Sequence, residues 1–264
     1  MTNRGYNRYS RLGAGDNTEL ELHSVEDSDA SVMSIMWLTQ QGTAEITNGS
    51  IMNFFVYDGQ RWVLNYSAIA VITSVEQIVA ALHGPDGLPT IFDQESYDQI
   101  VRPLSDGKPK DLRRLFVMES YGTLASICSG AAPIATIIPI EANLKAYTGI
   151  VTVRPLRVAL SQITTDTIIR NYLGHQYAPG ILGQLVQACT TVSDDKTHRR
   201  VASAFRSDFV TIILTKYGIL SSDTNVADTD PEWYDSASEQ DKIFEYTASE
   251  VVLKSPWIRR CDVS

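Results

Sequence analysis

The chain has 264 residues, of which 44% are hydrophobic and 20% are charged, and its formal net charge is -9. This length supplies one large domain or two modest ones, and the composition is that of a globular protein. The first residues are polar and no apolar run reaches about 18 residues, so we expect neither a secretory signal nor membrane insertion. Composition therefore argues against a disordered chain and against an integral membrane protein.

Residues with catalytic or metal-binding chemistry are scattered along the chain. The three cysteines are widely separated and odd in number, which fits neither a disulfide framework nor a zinc site. The four histidines are also dispersed, and there is no phosphate-binding loop, zinc-protease motif or nucleophile elbow. We predict a non-enzymatic protein without metal or cofactor. An enzyme whose site is built from residues distant in sequence is the open alternative.

Changes in composition divide the chain into five segments. Residues 1–30 are rich in Asn, Gly, Ser, Asp and Glu and have too few apolar residues for a core, which predicts a flexible arm. Glycine and proline crowd residues 84–110, which predicts a linker between an amino-terminal subdomain at 31–83 and a core at 111–220. Residues 221–264 are predicted to form an acidic carboxyl-terminal tail.

Residues 31–72 are dense in β-branched and aromatic side chains. The turn signals Asn48-Gly49 and Asp58-Gly59 separate the apolar segments. A small β-element and a set of short apolar helices both fit this pattern. The large aromatic side chains of the region are expected in the core, and they are Trp37, Phe54, Phe55 and Trp62.

The chain after the linker has the spacing of helices. Asp111 suits an N-cap, and apolar residues at helical spacing follow it as far as Cys128, which predicts a helix. Pro133 and Pro139 interrupt the next apolar run, which predicts a buried connector or a short strand. Four segments with helix start or stop signals follow from Pro155 onward. The predicted fold class is mainly α: a helical bundle core with a flexible amino-terminal arm and an acidic tail.

Positive charge is concentrated in the middle of the chain. Residues 1–100 carry 4 Lys/Arg against 13 Asp/Glu, residues 101–220 carry 14 against 8, and residues 221–264 carry 4 against 10. A surface that binds a polyanion and a set of solvated charged faces both fit this distribution.

Candidate residues for binding a single-stranded nucleic acid lie in this basic centre. Guanidinium groups bind phosphate through paired hydrogen bonds, and aromatic rings such as Tyr147, Tyr172 and Tyr177 stack on unpaired bases. The predicted binding residues are Lys145, Arg154, Arg157, Arg170, Lys196, His198, Arg199, Arg200, Arg206 and Lys216.

Two short motifs lie between residues 168 and 214. Arg170 is followed by the step Tyr177-Ala178-Pro179, and an alanine-rich segment further on contains Ala202, Ala204, Phe205, Asp208 and Phe209. This stretch, about a fifth of the chain, resembles the core of flexible filamentous plant virus coat proteins. It departs from one branch of that family at Gly180-Ile181, where a Trp-Asn pair is usual. Nucleoproteins of segmented negative-strand RNA viruses have a similar arrangement, in which a helical core assembles on single-stranded RNA and terminal arms reach neighbouring subunits.

The resemblance implies a helical core that polymerises on single-stranded RNA, with arms that link subunits into a filament or ring. It implies a location in the virion or the host cytoplasm. It further implies that Arg170 and Asp208 form a partly buried ion pair beside the RNA groove. The alternative is a matrix-like or adaptor protein that assembles through protein–protein contacts.

Overall fold

The structure, a computed structural model, describes seven parts of the chain, and these are residues 23–26, 33–39, 42–83, 94–121, 134–175, 208–224 and 251–254. Within these ranges nine strands form two antiparallel sheets. The smaller sheet consists of β1 (His23–Glu26), β2 (Met33–Thr39) and β3 (Gly42–Thr47), in that order.

The larger sheet has six strands, each paired antiparallel to its neighbours. They are β4 (Ile51–Tyr57), β5 (Trp62–Thr73), β6 (Arg114–Tyr121), β7 (Ile134–Pro139), β8 (Ile150–Arg154) and β9 (Val251–Lys254). Their order across the sheet is β7-β6-β5-β4-β8-β9. Strands from both halves of the chain therefore share one sheet.

Helices cover both faces of the larger sheet. They are α1 (Val75–Ala81), α2 (Gln94–Val101), α3 (Ile140–Ala146), α4 (Gln162–Tyr172) and α5 (residues 208–216). Apolar side chains of α1, α2, α4 and α5 pack on one face of the sheet. Helix α3 packs on the opposite face together with Ile46 of β3. The core thus has two apolar layers, one on each side of the sheet.

The prediction of a mainly α fold with a helical bundle core is wrong. The spacing after Asp111 predicts a helix as far as Cys128, but Arg114–Tyr121 forms β6 instead, and residues 122–128 of that segment lie outside the described residues. This strand is buried on both faces: Phe116 and Met118 belong to the layer under α1 and α4, whereas Leu115 and Val117 belong to the layer under α3. A strand covered on both faces has a continuous apolar run, and such a run also satisfies helical spacing.

Short elements form in segments whose composition predicts none. Strand β1 lies in the predicted flexible arm, α2 lies in the predicted linker, and β9 lies in the predicted acidic tail. Strand β1 is held by antiparallel pairing with the neighbouring β2, whereas β9 is held by pairing with β8, which is far away in sequence. Tertiary pairing of this kind overrides local propensity. Of the two alternatives that the sequence leaves open for residues 31–72, the described part of this region has strands rather than short helices, and β4 and β5 are central strands of the larger sheet.

Candidate functional site

The predicted nucleic-acid-binding residues divide into two groups. Lys145, Arg154, Arg157, Arg170 and Lys216 have described positions, and the others lie outside the described residues, namely Lys196, His198, Arg199, Arg200 and Arg206. Arg154 lies in β8 and is only 2% exposed, so its guanidinium is not presented to a polymeric phosphate. Lys145 belongs to α3 on one face of the sheet, whereas Arg170 and Lys216 belong to α4 and α5 on the other. Arg157 is exposed in the loop between β8 and α4.

Arg170 and Lys216 also face different directions. Lys216 Nζ lies 5.5 Å from the centroid of the Tyr172 ring. Burial raises the pKa of Tyr172, and the positive charge of Lys216 offsets this only in part. Residues two apart on an α-helix point about 200° apart, so Arg170 lies away from Tyr172 and lines a cleft beside α1. The predicted binding residues that have described positions therefore do not form one continuous basic face.

The ion pair between Arg170 and Asp208 that the resemblance implies is absent from the structure. Arg170 is exposed. Asp208 is 2% exposed, and its Oδ2 atom has no hydrogen-bond partner in the described part of the chain. Desolvation by burial raises the pKa of Asp208 to about 7. Asp208 is therefore a buried carboxyl group whose negative charge Arg170 does not compensate.

Two large apolar side chains project into solvent around the start of α4. Val158 in the loop between β8 and α4 is 70% exposed, and Ile163 in the first turn of α4 is 78% exposed. Most side chains of this size are buried in folded proteins. We refer to these two exposed side chains, which flank the start of α4 in sequence, as the Val158–Ile163 patch.

Buried leucines fix the loop that carries Val158. Leu156 and Leu160 are 2% and 4% exposed and lie against Gly49, in the turn between β3 and β4. Gly49 has a φ of +90°, and a Cβ atom there would lie 2.7 Å from Leu156 Cδ1, so glycine permits both the turn and the close approach. Leu160 N–H also donates to the Asn48 carbonyl at 2.9 Å. With both leucines directed inward, Val158 is left at the surface.

Capping and a buried amide fix the start of α4. Ser161 Oγ accepts a hydrogen bond from Thr164 N–H at 3.1 Å, as an N-cap does. Gln162 is 6% exposed and its side chain bonds to Asn48 inside the protein. Ile163 is about 100° further around the helix and points outward. The patch therefore projects from a backbone whose position is set by buried contacts.

The sequence pattern does not reveal this patch, because it predicts one helix from Pro155 to Ile163 and so no loop that would expose Val158. The structure has an irregular loop, and α4 begins at Gln162. The pair Ser161 and Thr164 is the signal that places the start of the helix after the loop, since Ser at an N-cap bonds to the backbone of the third helical residue.

The fold and this surface define a protein with an antiparallel sheet between helical layers and an exposed apolar patch. No protein-family model, curated protein or solved structure matches the chain. None of the helices in the described ranges is long and apolar enough to cross a bilayer. The described residues also contain no group of three or more His, Cys, Asp or Glu side chains that could hold a metal ion.

Proposed function

We propose that this protein is a non-enzymatic, matrix-like assembly protein that associates with copies of itself through the Val158–Ile163 patch. The observation that carries the proposal is the exposure of these two side chains, 70% and 78%, on a rigid backbone. Apolar surface is unfavourable in water, and an apolar patch is complementary to a second copy of itself. A patch whose charges all have the same sign is not complementary to a second copy of itself, because like charges repel.

The energetics suit a role as interface anchors. Full burial of one Val or Ile side chain contributes about 1.5–3 kcal/mol. Association also has an entropic cost, which is smaller when the contacting backbone is already ordered. The anchoring of Leu156, Leu160 and Gln162 supplies that order. A few such anchors carry most of the binding energy of a typical interface.

A charge introduced into the patch tests this function. We expect Val158→Asp and Ile163→Asp each to raise the dissociation constant for self-association by about tenfold or more, because each places a charge in an apolar contact. Asn171→Asp is the matched control, since it adds the same charge at an exposed position of α4. Sedimentation velocity over a concentration series provides the measurement. A wild-type chain that stays monomeric at every concentration would refute self-association.

Binding of single-stranded RNA, as in a viral coat or nucleocapsid protein, is a second candidate function. Arg170 and Lys216 are exposed on α4 and α5, two helices that pack on the same face of the sheet, and this shared face favours the second candidate even though the two side chains point in different directions. The densest basic stretch, residues 196–206, directly precedes α5 in sequence. Either function suits a location in the virion or the host cytoplasm.

Salt dependence of RNA binding tests the second candidate. On single strands, log affinity falls by about 0.7 per unit of log salt for each phosphate neutralised. We expect Lys216→Ala to lower this slope in filter-binding titrations, with Lys145→Ala on the opposite side of the sheet as the control. Equal effects of both substitutions, or a slope near zero for the wild type, would exclude binding through the helical side.

A further inference from the structure

A cleft of ≈ 170 Å³ lies between α1 and α4. It is lined by Gln77, Ala80, Ala81, Asp166, Ile169 and Arg170. Ile169 is 2% exposed and joins the core below the cleft. The cleft thus combines an apolar wall from two alanines and Ile169 with three polar side chains. Neither the assembly function nor the RNA function accounts for this combination.

A buried hydrogen-bond chain sets the position of Asp166. Gln162 Nε2 donates to Asp166 Oδ1 at 2.7 Å and to the Ile72 carbonyl at 3.2 Å. Gln162 Oε1 in turn accepts from Asn48 Nδ2 at 3.0 Å. Gln162 is 6% exposed, so the group that orients Asp166 is itself fixed inside the protein. Asp166 Oδ2 has no partner among the described residues and is available to a ligand.

The amide of Gln77 is oriented in a similar way. Thr73 Oγ1 donates to Gln77 Oε1 at 2.9 Å, which leaves the Nε2 group as the available donor. Ser74 Oγ accepts from Gln77 N–H at 3.2 Å and caps α1. The Nε2 group of Gln77 has no partner among the described residues, so it is the donor that Gln77 can offer to a ligand in the cleft.

Arg170 supplies the third polar group. It lies four residues after Asp166 on the same helix, a spacing at which opposite charges commonly pair. The structure has no ion pair between them, and Arg170 has no carboxylate partner within the described ranges. A carboxylate and a guanidinium thus both open onto one cleft without neutralising each other.

We propose that the cleft binds a small zwitterion whose primary ammonium and oxyanion are a few bonds apart. The ammonium bonds to Asp166, and the oxyanion accepts from Arg170 and Gln77 Nε2, in charge-assisted hydrogen bonds. The carbon skeleton lies on Ala80, Ala81 and Ile169. Sites for drug-sized ligands measure roughly 300–1,000 Å³, so this smaller cleft suits a small molecule. Free α-amino acids and the ethanolamine phosphate headgroup share this chemistry.

Isothermal titration calorimetry of the full chain tests the charge requirement. The probes are alanine, leucine and phosphoethanolamine, with acetate and ethylamine as ligands that carry only one of the two charges. We expect at least one zwitterion to bind about tenfold or more tightly than either single-charge compound, because two charge-assisted contacts are made instead of one. Failure of all three zwitterions to bind, or equal binding of acetate, would overturn the proposal.

Substitutions in the cleft test the assigned contacts. We expect Asp166→Asn and Arg170→Gln each to weaken binding about tenfold. Asn at position 166 keeps an oxygen that can accept from Gln162, which preserves the fold. Asn171→Ala, outside the cleft, is the control and should bind as the wild type does. Circular dichroism verifies folding, and unchanged affinity in both folded cleft variants would exclude this site.

Vesicles separate the two sources of the ligand. Phosphatidylethanolamine presents a primary ammonium, whereas the quaternary ammonium of phosphatidylcholine has no N–H to donate to Asp166. Retention on phosphatidylethanolamine vesicles but not on phosphatidylcholine vesicles assigns the site to the headgroup. Binding of the free amino acids without vesicle retention assigns it to a soluble metabolite. Equal retention on both vesicle types, with no binding of soluble zwitterions, would contradict the proposed recognition.

Discussion

Asn48 Nδ2 donates a hydrogen bond of 3.0 Å to Gln162 Oε1, between residues 114 positions apart in sequence. Both side chains are buried. Asn48 Oδ1 accepts from Ile72 N–H at 2.6 Å, and Gln162 Nε2 donates to the Ile72 carbonyl at 3.2 Å. The two side chains thus join the turn between β3 and β4, the end of β5 and the first turn of α4.

We expect Asn48→Ala to lower the free energy of unfolding by about 2–4 kcal/mol, because Ile72 N–H and Gln162 Oε1 lose their buried partner. Gln60→Ala, in an exposed turn, is the control and should change stability by less than about 0.5 kcal/mol. Urea denaturation measures both. Asn48→Ala combined with Gln162→Ala should cost less than the sum of the single changes, since the residues share one network. Strict additivity would show that the two side chains act independently.

Gly49 and Gly59 provide a matched pair of alanine substitutions. Both have positive φ, +90° and +103°, but a Cβ atom at Gly49 would meet Leu156 and Leu160, whereas one at Gly59 would meet nothing within 4 Å. Gly59→Ala should cost about 1–2 kcal/mol from backbone conformation. Gly49→Ala should cost about 1–3 kcal/mol more from overpacking. It should also weaken self-association, because displaced leucines move Val158. Equal costs would show that no packing penalty exists at Gly49.

The contact between Asp106 and Arg114 predicts that a substitution of nearly equal size, Asp106→Asn, lowers the free energy of unfolding strongly. Arg114 is fully buried, its Nη1 donates to Asp106 Oδ2, and its guanidinium lies 5.1 Å from the Phe116 ring centroid. Asp106→Asn should cost about 3 kcal/mol in urea denaturation, because a buried guanidinium loses its counter-charge. Arg114→Met in the same chain should recover much of this loss. No recovery would mean that Arg114 is required for its packing.

A more exposed ion pair provides the comparison. Lys108 Nζ and Glu141 Oε1 are 2.8 Å apart, and the Lys108 side chain is 39% exposed. Lys108→Ala should cost at most about 1 kcal/mol, since water already solvates the pair.

The pair of Asp106 and Arg114 should also respond to acid. Burial raises the pKa of Asp106, but the hydrogen bond and the positive charge of Arg114 lower it by more. The pKa of Asp106 therefore lies below its ordinary value of 3.8. Its contribution is therefore present above pH 3.8 and lost as the pH falls through the folded-state pKa.

Asp208 predicts a pH dependence of the opposite sign. Burial raises the pKa of Asp208 from 3.8 to about 7. Between these values the unfolded chain has lost the proton and the folded chain retains it, so stability falls as the pH rises. The contribution of this group should fall by about 1.4 kcal/mol per pH unit between about pH 4 and pH 7.

Asp208→Asn isolates this titration from other ionisable groups. Asparagine stays neutral, so the variant should become more stable than the wild type as the pH approaches 8. Urea denaturation at several pH values measures the difference between the two chains. A difference that does not change with pH would show that Asp208 is ionised in the folded protein throughout.

The sequence by itself determined features that depend on a few neighbouring residues. Asn48-Gly49 and Asp58-Gly59 occupy the turns between β3, β4 and β5, and both glycines have the positive φ that such turns require. Phe54, Phe55 and Trp62 are buried as their size predicts. Helix α5 lies within the last of the four helical segments that the sequence predicts from Pro155 onward. In each case a short-range preference agrees with the final structure, so local reasoning is sufficient.

Only the tertiary structure decided the fold class and the sites. The apolar run of β6 fits a helix and a doubly covered strand equally well, and pairing with β5 and β7 determines the outcome. Arg154 and Arg170 look alike in sequence, but the first is buried in the sheet and the second opens onto the α1–α4 cleft. Gln77 and Asp166 meet there because two helices pack on the same sheet face. Such contacts join residues far apart in the chain, and no local spacing specifies them.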